Sequence, residues 1–170
     1  SVTSIGEGAF IGCSSLTSMV VESGNSTYDS RENCNAIIET ATNTLIAGCQ
    51  NTIIPNSVTS IGNGAFGGCS SLTSVTIPNS VTSIGVEAFY YCFSLKTVIC
   101  EAIEVPELGG DVFYYMPLAK ATLYVPAQSL DDYKAADQWK DFGTILPIHE
   151  SPTNIEHTPL GEIGNQSKLL

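Results

Sequence analysis

The stretch SVTSIGNGAFGGCSSLTSVTIPN at residues 57–79 decides the fold, because close copies of it occur twice more. The copy that starts at Ser1 agrees with its first 21 residues at 16 of 21 positions, and the copy at Ser80 agrees at 12 of 21. Ser57 and Ser80 are 23 residues apart, whereas 56 residues separate Ser1 from Ser57, so a longer unit at about 24–56 lies between the copies. Self-similarity at a fixed period indicates a repeat architecture.

The apolar positions of each unit predict what the repeat builds. Val75 and Ile77 alternate with Ser74 and Thr76, which is the periodicity of a strand with one buried side. One such unit cannot bury its apolar side alone, but stacked copies can. We therefore predict a mainly β fold with short helical turns: a solenoid of 23-residue coils over residues 1–126, with the longer unit carrying an insertion.

The motif carries a family resemblance. The run formed by Ile61-Gly62, Ala65-Phe66, Cys69 and Leu72, followed by Val75, Ile77 and Pro78, resembles the BspA-like (Treponema pallidum-type) leucine-rich repeats of bacterial cell-surface proteins. The resemblance covers about residues 1–126. It implies a curved leucine-rich-repeat solenoid on a secreted or surface protein, often of Bacteroidetes, and links the chain with adhesion to host proteins or other cells.

The longer unit contains a predicted β-hairpin. Ala36-Ile37-Ile38 and Leu45-Ile46-Ala47 flank a polar stretch, so the hairpin either protrudes from one coil or widens it. If the turn centres on Ala41-Thr42, Cys34 and Cys49 lie opposite each other and a disulfide between them is sterically allowed. A slip of one residue removes that pairing. By contrast, Cys13, Cys69 and Cys92 occupy one position in three copies and are expected in the core.

The C-terminal part departs from the repeat. Ser129 and Asp132 resemble a capping box, and an apolar series from Leu130 to Phe142 predicts one helix that Gly143 ends. A solenoid must cover its open end, so we interpret residues 127–148, a helix followed by a strand, as a cap with Trp139 in the core. Residues 149–170 lack periodicity and are predicted to be a flexible linker or tail.

Composition and charge disfavour some classes of function. The chain has a net charge of −11 with six Lys or Arg, which disfavours a nucleic-acid partner. There is no run of 18 apolar residues that could span a membrane. No signal peptide is visible, and Ser1 already belongs to a repeat, so we expect the sequence to continue a longer array. The open edge of the first coil favours end-to-end or edge self-association.

Catalytic and metal-binding patterns are weak. His149 and His157 fall at the edge of the tail, where no element would orient them as a base. Residues 62–67 match GxGxxG but do not open a helix of a βαβ unit. The run Glu101, Glu104 and Glu107 lacks the spacing of a calcium loop. We therefore expect no enzyme, no cofactor and no metal, with an enzyme accessory domain as a remote alternative.

Binding is favoured by the row of side chains that points away from the core. Positions equivalent to Thr76 in the other units are mostly apolar, and exposed apolar rows are candidate contact surfaces. β-branched residues also simply favour strands, so an alternative is a structural spacer or display scaffold without a ligand. The leading hypothesis is an adhesin-like module that contacts a protein or glycan through this face. The candidate contact residues are Val20, Ile53, Ser74, Thr76, Thr97, Ile99 and Tyr124, with Ser18 and Thr122 beside them.

Overall fold

The computed structural model describes residues 1–149, which form a strand-rich repeat domain with one short α-helix. The strands of this part are β1 Tyr28–Asp29, β2 Ala36–Glu39, β3 Thr44–Gly48, β4 Ser60–Ile61, β5 Ser74–Ile77, β6 Ser83–Ile84, β7 Thr97–Cys100, β8 Glu107–Leu108, β9 Thr122–Val125 and β10 Thr144–Pro147. The helix α1 is Leu130–Ala135, and short 3-10 turns span Arg31–Asn33, Leu118–Lys120, Ala127–Ser129 and Trp139–Asp141.

The strands assemble into two sheets. Sheet A has the order β1-β2-β3-β4-β6-β8, and sheet B has the order β10-β9-β7-β5. Consecutive units pair in parallel, with Ser60 opposite Ser83 in sheet A and Ser74 opposite Thr97 in sheet B. The hydroxyls of Ser60 and Ser83 lie 3.0 Å apart at a sequence separation of 23. Equivalent residues of neighbouring units therefore lie beside one another, as the repeat predicts.

A column of phenylalanine rings fills the core between the sheets. The rings of Phe66 and Phe89 stack with centroids 5.1 Å apart, and those of Phe89 and Phe113 with centroids 5.8 Å apart. All three side chains are buried. Trp139 ends the column by meeting Phe113 edge to face at 5.4 Å, and its indole N–H donates to the Pro106 carbonyl. The expected burial of Trp139 is thereby confirmed.

The predicted hairpin is present and lies inside the fold. Strands β2 and β3 pair antiparallel, and β3 continues in parallel to β4. Ile38 and Leu45 face the main core, while Ile37 and Ala47 belong to a second, smaller cluster with Met19. The hairpin thus separates two cores. The first unit packs against the hairpin's second face and contributes no strand to either sheet.

Two features of the C-terminal part differ from the prediction. The α-helix stops at Ala135, and Ser129 makes no capping bond, because its hydroxyl donates to the Ile103 carbonyl at 2.7 Å. Gln138 has a φ of 62°, which a helix interior does not accommodate. Its side-chain amide accepts from Val112 N–H and donates to the Gly109 carbonyl, at 2.9 and 2.8 Å. This bond pair to the preceding unit competes with helix continuation. The predicted tail lies, from residue 150 on, outside the described residues.

The cysteines also depart in part from expectation. Cys69 and Cys92 are buried as predicted, but Cys13 is exposed because the first unit packs only against the smaller cluster. Cys34 and Cys49 are both buried free thiols whose sulfurs contact different backbone carbonyls. The hairpin tip has the expected register, but a bulge between Ile37 and Ile38 shifts the pairing by one residue before it reaches the cysteines. The disulfide therefore stays a prediction.

An ion pair fastens the start of the hairpin to its tip. The Arg31 guanidinium binds both carboxylate oxygens of Asp29, at 2.7 and 2.6 Å, and donates to the Asn43 side chain at 2.7 Å. Thr40 donates a further hydrogen bond to Asp29 at 2.8 Å. These bonds, led by the one from Arg31, lower the pKa of Asp29 from 3.8 to about 2, against the opposing effect of partial burial. The ionised carboxylate therefore stabilises the folded state.

We predict that Asp29→Asn lowers the free energy of unfolding at pH 7 by about 2 kcal/mol. Because the folded-state pKa is depressed, this stabilisation is present above the unfolded pKa and is lost as the pH falls through about 2. Urea unfolding of the wild type and variant should show a difference at pH 3 roughly half that at pH 7. Asp137→Asn is the matched control, since Asp137 pairs with Lys140 at an exposed site and its loss should leave the urea midpoint unchanged.

The cysteine thiols should differ in their rates of alkylation. Burial raises the pKa of Cys69 from 9.0 to about 11 and that of Cys92 to about 12. At pH 8 the thiolate fraction of Cys69 is then about 100-fold below that of an unperturbed thiol. We expect iodoacetamide to label exposed Cys13 first in the native protein, and Cys69 and Cys92 only in urea. Peptide mass spectrometry at timed intervals measures the order, and rapid native labelling of Cys92 would contradict the burial.

The same peptide maps test the proposed disulfide. Without reductant, an oxidised Cys34–Cys49 pair resists alkylation even in urea and yields one linked peptide that reduction splits. Two separately alkylated peptides from the non-reduced, air-exposed protein would show that the bulge prevents the bond.

Candidate functional site

The outward face of sheet B is the candidate contact surface. In β5, Val75 and Ile77 are buried and the alternate residues Ser74 and Thr76 are exposed. Strands β7 and β9 repeat this alternation, with buried inward residues and half-buried outward residues. The alternation follows from the pleat of a strand with the phenylalanine core on one side only. The predicted orientation of this strand row is therefore present in the structure.

Register turns the outward residues into two continuous rows. The pairing aligns β5 with β7, β7 with β9 and β9 with β10, position by position. We name the row Ser74, Thr97, Thr122 and Thr144 the hydroxyl row. We name the row Thr76, Ile99, Tyr124 and Leu146 the apolar row. No side chain in either row is charged on a chain of net charge −11, and Glu101 lines the depression beside Ser74 and Thr76. Such a face can bury apolar area and offer hydroxyl hydrogen bonds.

The structure joins Ile53 to this face but not Val20. Both residues lie outside the strands, and both are strongly exposed, at 76% and 75%. Ile53 lines one depression together with Ser74 and Thr76, next to the start of the apolar row. Val20 instead lines a separate depression of about 730 Å³ at the first unit, with Val2 and Tyr28. The hairpin explains the separation, because it lies between the first unit and sheet B.

Two residues of the face were not assigned to it from the sequence. Thr144 and Leu146 belong to β10, which extends sheet B beyond the repeats by pairing in parallel with β9. Leu146 is opposite Tyr124 and is exposed. The segment Thr144 to Pro147 has a proline at its end, and Pro78 and Pro126 likewise directly follow β5 and β9, which is a signal that could have placed it in the sheet. The final strand therefore lengthens the candidate face by one position in each row.

Neither a metal-binding group of side chains nor a membrane-spanning helix is found among the described residues. Within residues 1–149, no group of three or more His, Cys, Asp or Glu side chains comes together with the geometry to hold a metal ion. His149 is the last described residue and is exposed. In the same range, helices are too short and too polar to cross a bilayer.

Comparison with known proteins agrees with the repeat geometry. The family model described as a BspA type leucine rich repeat region matches the chain in six copies, over residues 1–42 and 45–136. No curated protein and no solved structure matched the chain. Proteins with these repeats are associated with bacterial surfaces and with protein interaction, and the repeats are typically non-enzymatic. Parallel units in register and six family matches over most of its length show that the chain belongs to the BspA-type leucine-rich repeat family.

Proposed function

We propose that this chain is an adhesin-like binding module of a secreted or surface-exposed bacterial protein, which contacts a host or neighbouring-cell ligand through the outward face of sheet B. The observation that carries the proposal is the apolar row. Ile99, Tyr124 and Leu146 lie side by side on the outside of a sheet whose stability depends on its buried side. Ile99 and Tyr124 are half-buried and Leu146 is exposed on this outward side, which faces away from the phenylalanine core, and contiguous apolar surface open to solvent favours association.

The chemistry of the two rows favours a protein or glycan ligand. The Tyr124 ring and the Ile99 side chain supply area that a partner can desolvate, and the phenol adds a polar group. Beside them the hydroxyl row, represented by Thr97 and Thr122, offers donors and acceptors at regular strand spacing. A repeating neutral surface of this kind fits an extended partner better than a small molecule.

We further infer the arrangement that presents this face. The units form a curved solenoid of 23-residue coils over residues 1–126, and residues 127–148 cap its C-terminal end. Support comes from the parallel pairing of equivalent strands and from the contact of Trp139 with the end of the phenylalanine column. Strand faces of curved solenoids provide extended concave binding surfaces, which is consistent with the proposed site.

Binding to an array of extracellular-matrix proteins and mucosal glycans at physiological salt tests the function. We expect the purified chain to bind at least one component, and Ile99→Asp with Tyr124→Asp to weaken that binding at least about tenfold, because the partner would desolvate both new charges. Thr59→Asp with Thr82→Asp is the matched control. It adds the same charge at exposed positions beside sheet A and should bind like the wild type.

Circular dichroism and thermal unfolding confirm that both double variants fold. Binding that survives in the Ile99, Tyr124 variant would contradict the proposed face. A chain that binds no component of the array would favour the spacer or display role instead.

A further inference from the structure

A second exposed surface lies in the turns that connect the two sheets. Five aromatic side chains meet there, and we name them the aromatic patch: Tyr90, Tyr91, Phe93, Tyr114 and Tyr115. Tyr90 stacks on Tyr114 with centroids 6.1 Å apart, and Tyr91 meets Tyr115 at 4.7 Å. Phe93, Tyr114 and Tyr115 are 53%, 49% and 52% exposed. The patch is separate from the rows of sheet B and is not needed for the phenylalanine column.

The backbone makes the choice of tyrosine unusual. Tyr91 and Tyr115 both have a φ of 57°, in the left-handed region that favours glycine. The first and third units have Gly12 and Gly68 at the equivalent position, with φ of 79° and 72°. A side chain in this region strains the backbone, and such strain persists mainly where the side chain has a use. The fourth and fifth units thus place rings where the repeat would accept glycine at less strain.

The same exchange introduces carboxylates beside the rings. Glu87 and Asp111, with φ of 55° and 53°, occupy the position that Gly8 and Gly64 hold in the earlier units. Each acidic residue begins the turn that presents a tyrosine, because its carbonyl accepts the backbone N–H three residues later at 3.1 Å. Desolvation raises the pKa of the Tyr90 phenol, and the charges of Tyr91 and Glu87 add to that effect.

The surroundings of the patch are acidic. Asp141 joins Asp111 in lining the depression of about 470 Å³ beside Tyr114 and Tyr115. Among the described residues, the side chains that line this depression and the neighbouring one at Tyr90 include neither Lys nor Arg. Ring faces carry a negative quadrupole, so rings and carboxylates act on a ligand in the same electrostatic sense.

We propose that the aromatic patch, with Glu87 and Asp111, binds an arginine- or lysine-bearing peptide segment of a protein partner. Guanidinium groups stack on tyrosine faces and pair with carboxylates, which are the two groups combined here. Charge complementarity favours this ligand over an uncharged glycan, which would use the rings but not the acids. The site is distinct from the sheet B face, so its ligand can be tested independently of the proposed function.

Fluorescence anisotropy with a labelled Arg-Gly-Arg-Gly-Arg-Gly peptide tests the site, and the same peptide with glutamine in place of arginine is the control ligand. We expect the arginine peptide to bind at least about tenfold more tightly than the glutamine peptide, and more weakly as salt rises. Tyr91→Gly with Tyr115→Gly should abolish the difference. Because glycine relieves the positive φ, this variant should retain at least the thermal midpoint of the wild type.

A second variant covers the case in which the glycine variant does not fold. Glu87→Gln with Asp111→Asn keeps the rings and should lose most of the preference for arginine and its salt dependence. The Ile99→Asp, Tyr124→Asp variant should bind the peptide like the wild type, which separates this site from sheet B.

Several results would overturn the proposal. Equal binding of both peptides, or tight binding by the glycine variant, would show that the patch does not read charge. Tyrosine-dependent binding of chitotriose in place of the arginine peptide would identify a glycan surface. A tyrosine-dependent dimer in light scattering would show that a second copy of the chain covers the patch.

Discussion

Stacking in register is the constraint on which the structure depends. Each unit buries its apolar side only against the units beside it, so the Phe66, Phe89 and Phe113 rings must lie one above another. The parallel pairing keeps the rings, the sheet A strands and the sheet B strands aligned at once, although the later units are slightly longer than the earlier ones. The same alignment lines up the outward residues of sheet B, although nothing in the core requires those residues to be apolar. The alignment of the candidate binding face therefore follows from the periodicity of the core, whereas its apolar character depends on the particular side chains at the outward positions.

The long second unit shows how the array tolerates a break in that periodicity. Its hairpin interrupts the phenylalanine column, and the Phe66 ring packs on the backbone of Gly48, where a Cβ would meet the ring at 2.2 Å. Phe10 of the first unit is thereby diverted to the smaller cluster. The turn of the first unit nevertheless reaches past the hairpin, since Gly12 N–H donates to the Gly67 carbonyl at 3.0 Å.

Repetition explains which parts of the fold could be predicted from sequence. Apolar positions that recur in the three copies, such as those of Val75 and Phe66, are recognisable as core positions, and the hairpin strands are recognisable as two short apolar runs on either side of a polar stretch. Features that arise from a single contact between units leave no such pattern. The Gln138 amide ends the helix early by bonding to Val112 and Gly109, and the exposure of Cys13 follows from the hairpin beside it.

The two candidate sites also differ in how far they could be predicted from the sequence. The rows of sheet B follow from periodicity, apart from Thr144 and Leu146, which the cap segment adds through β10. The aromatic patch does not follow from it. Tyr91 and Tyr115 replace glycines of the motif and the other rings replace different residues of it, so the sequence shows the patch only as departures from the repeat, and its convergence depends on the stacking of units.

Because each unit contacts only the units beside it, the order of the units along the chain also determines how the molecule would respond to mechanical force. Each unit is held only by the segments directly beside it, so tension on the C-terminal side should first detach residues 127–148 and then peel units away one after another, each releasing about 80 Å of extended chain. The N-terminal end differs, because Gly12 is bonded to Gly67 across the intervening hairpin. The first three units should consequently resist extension together and yield as one larger step.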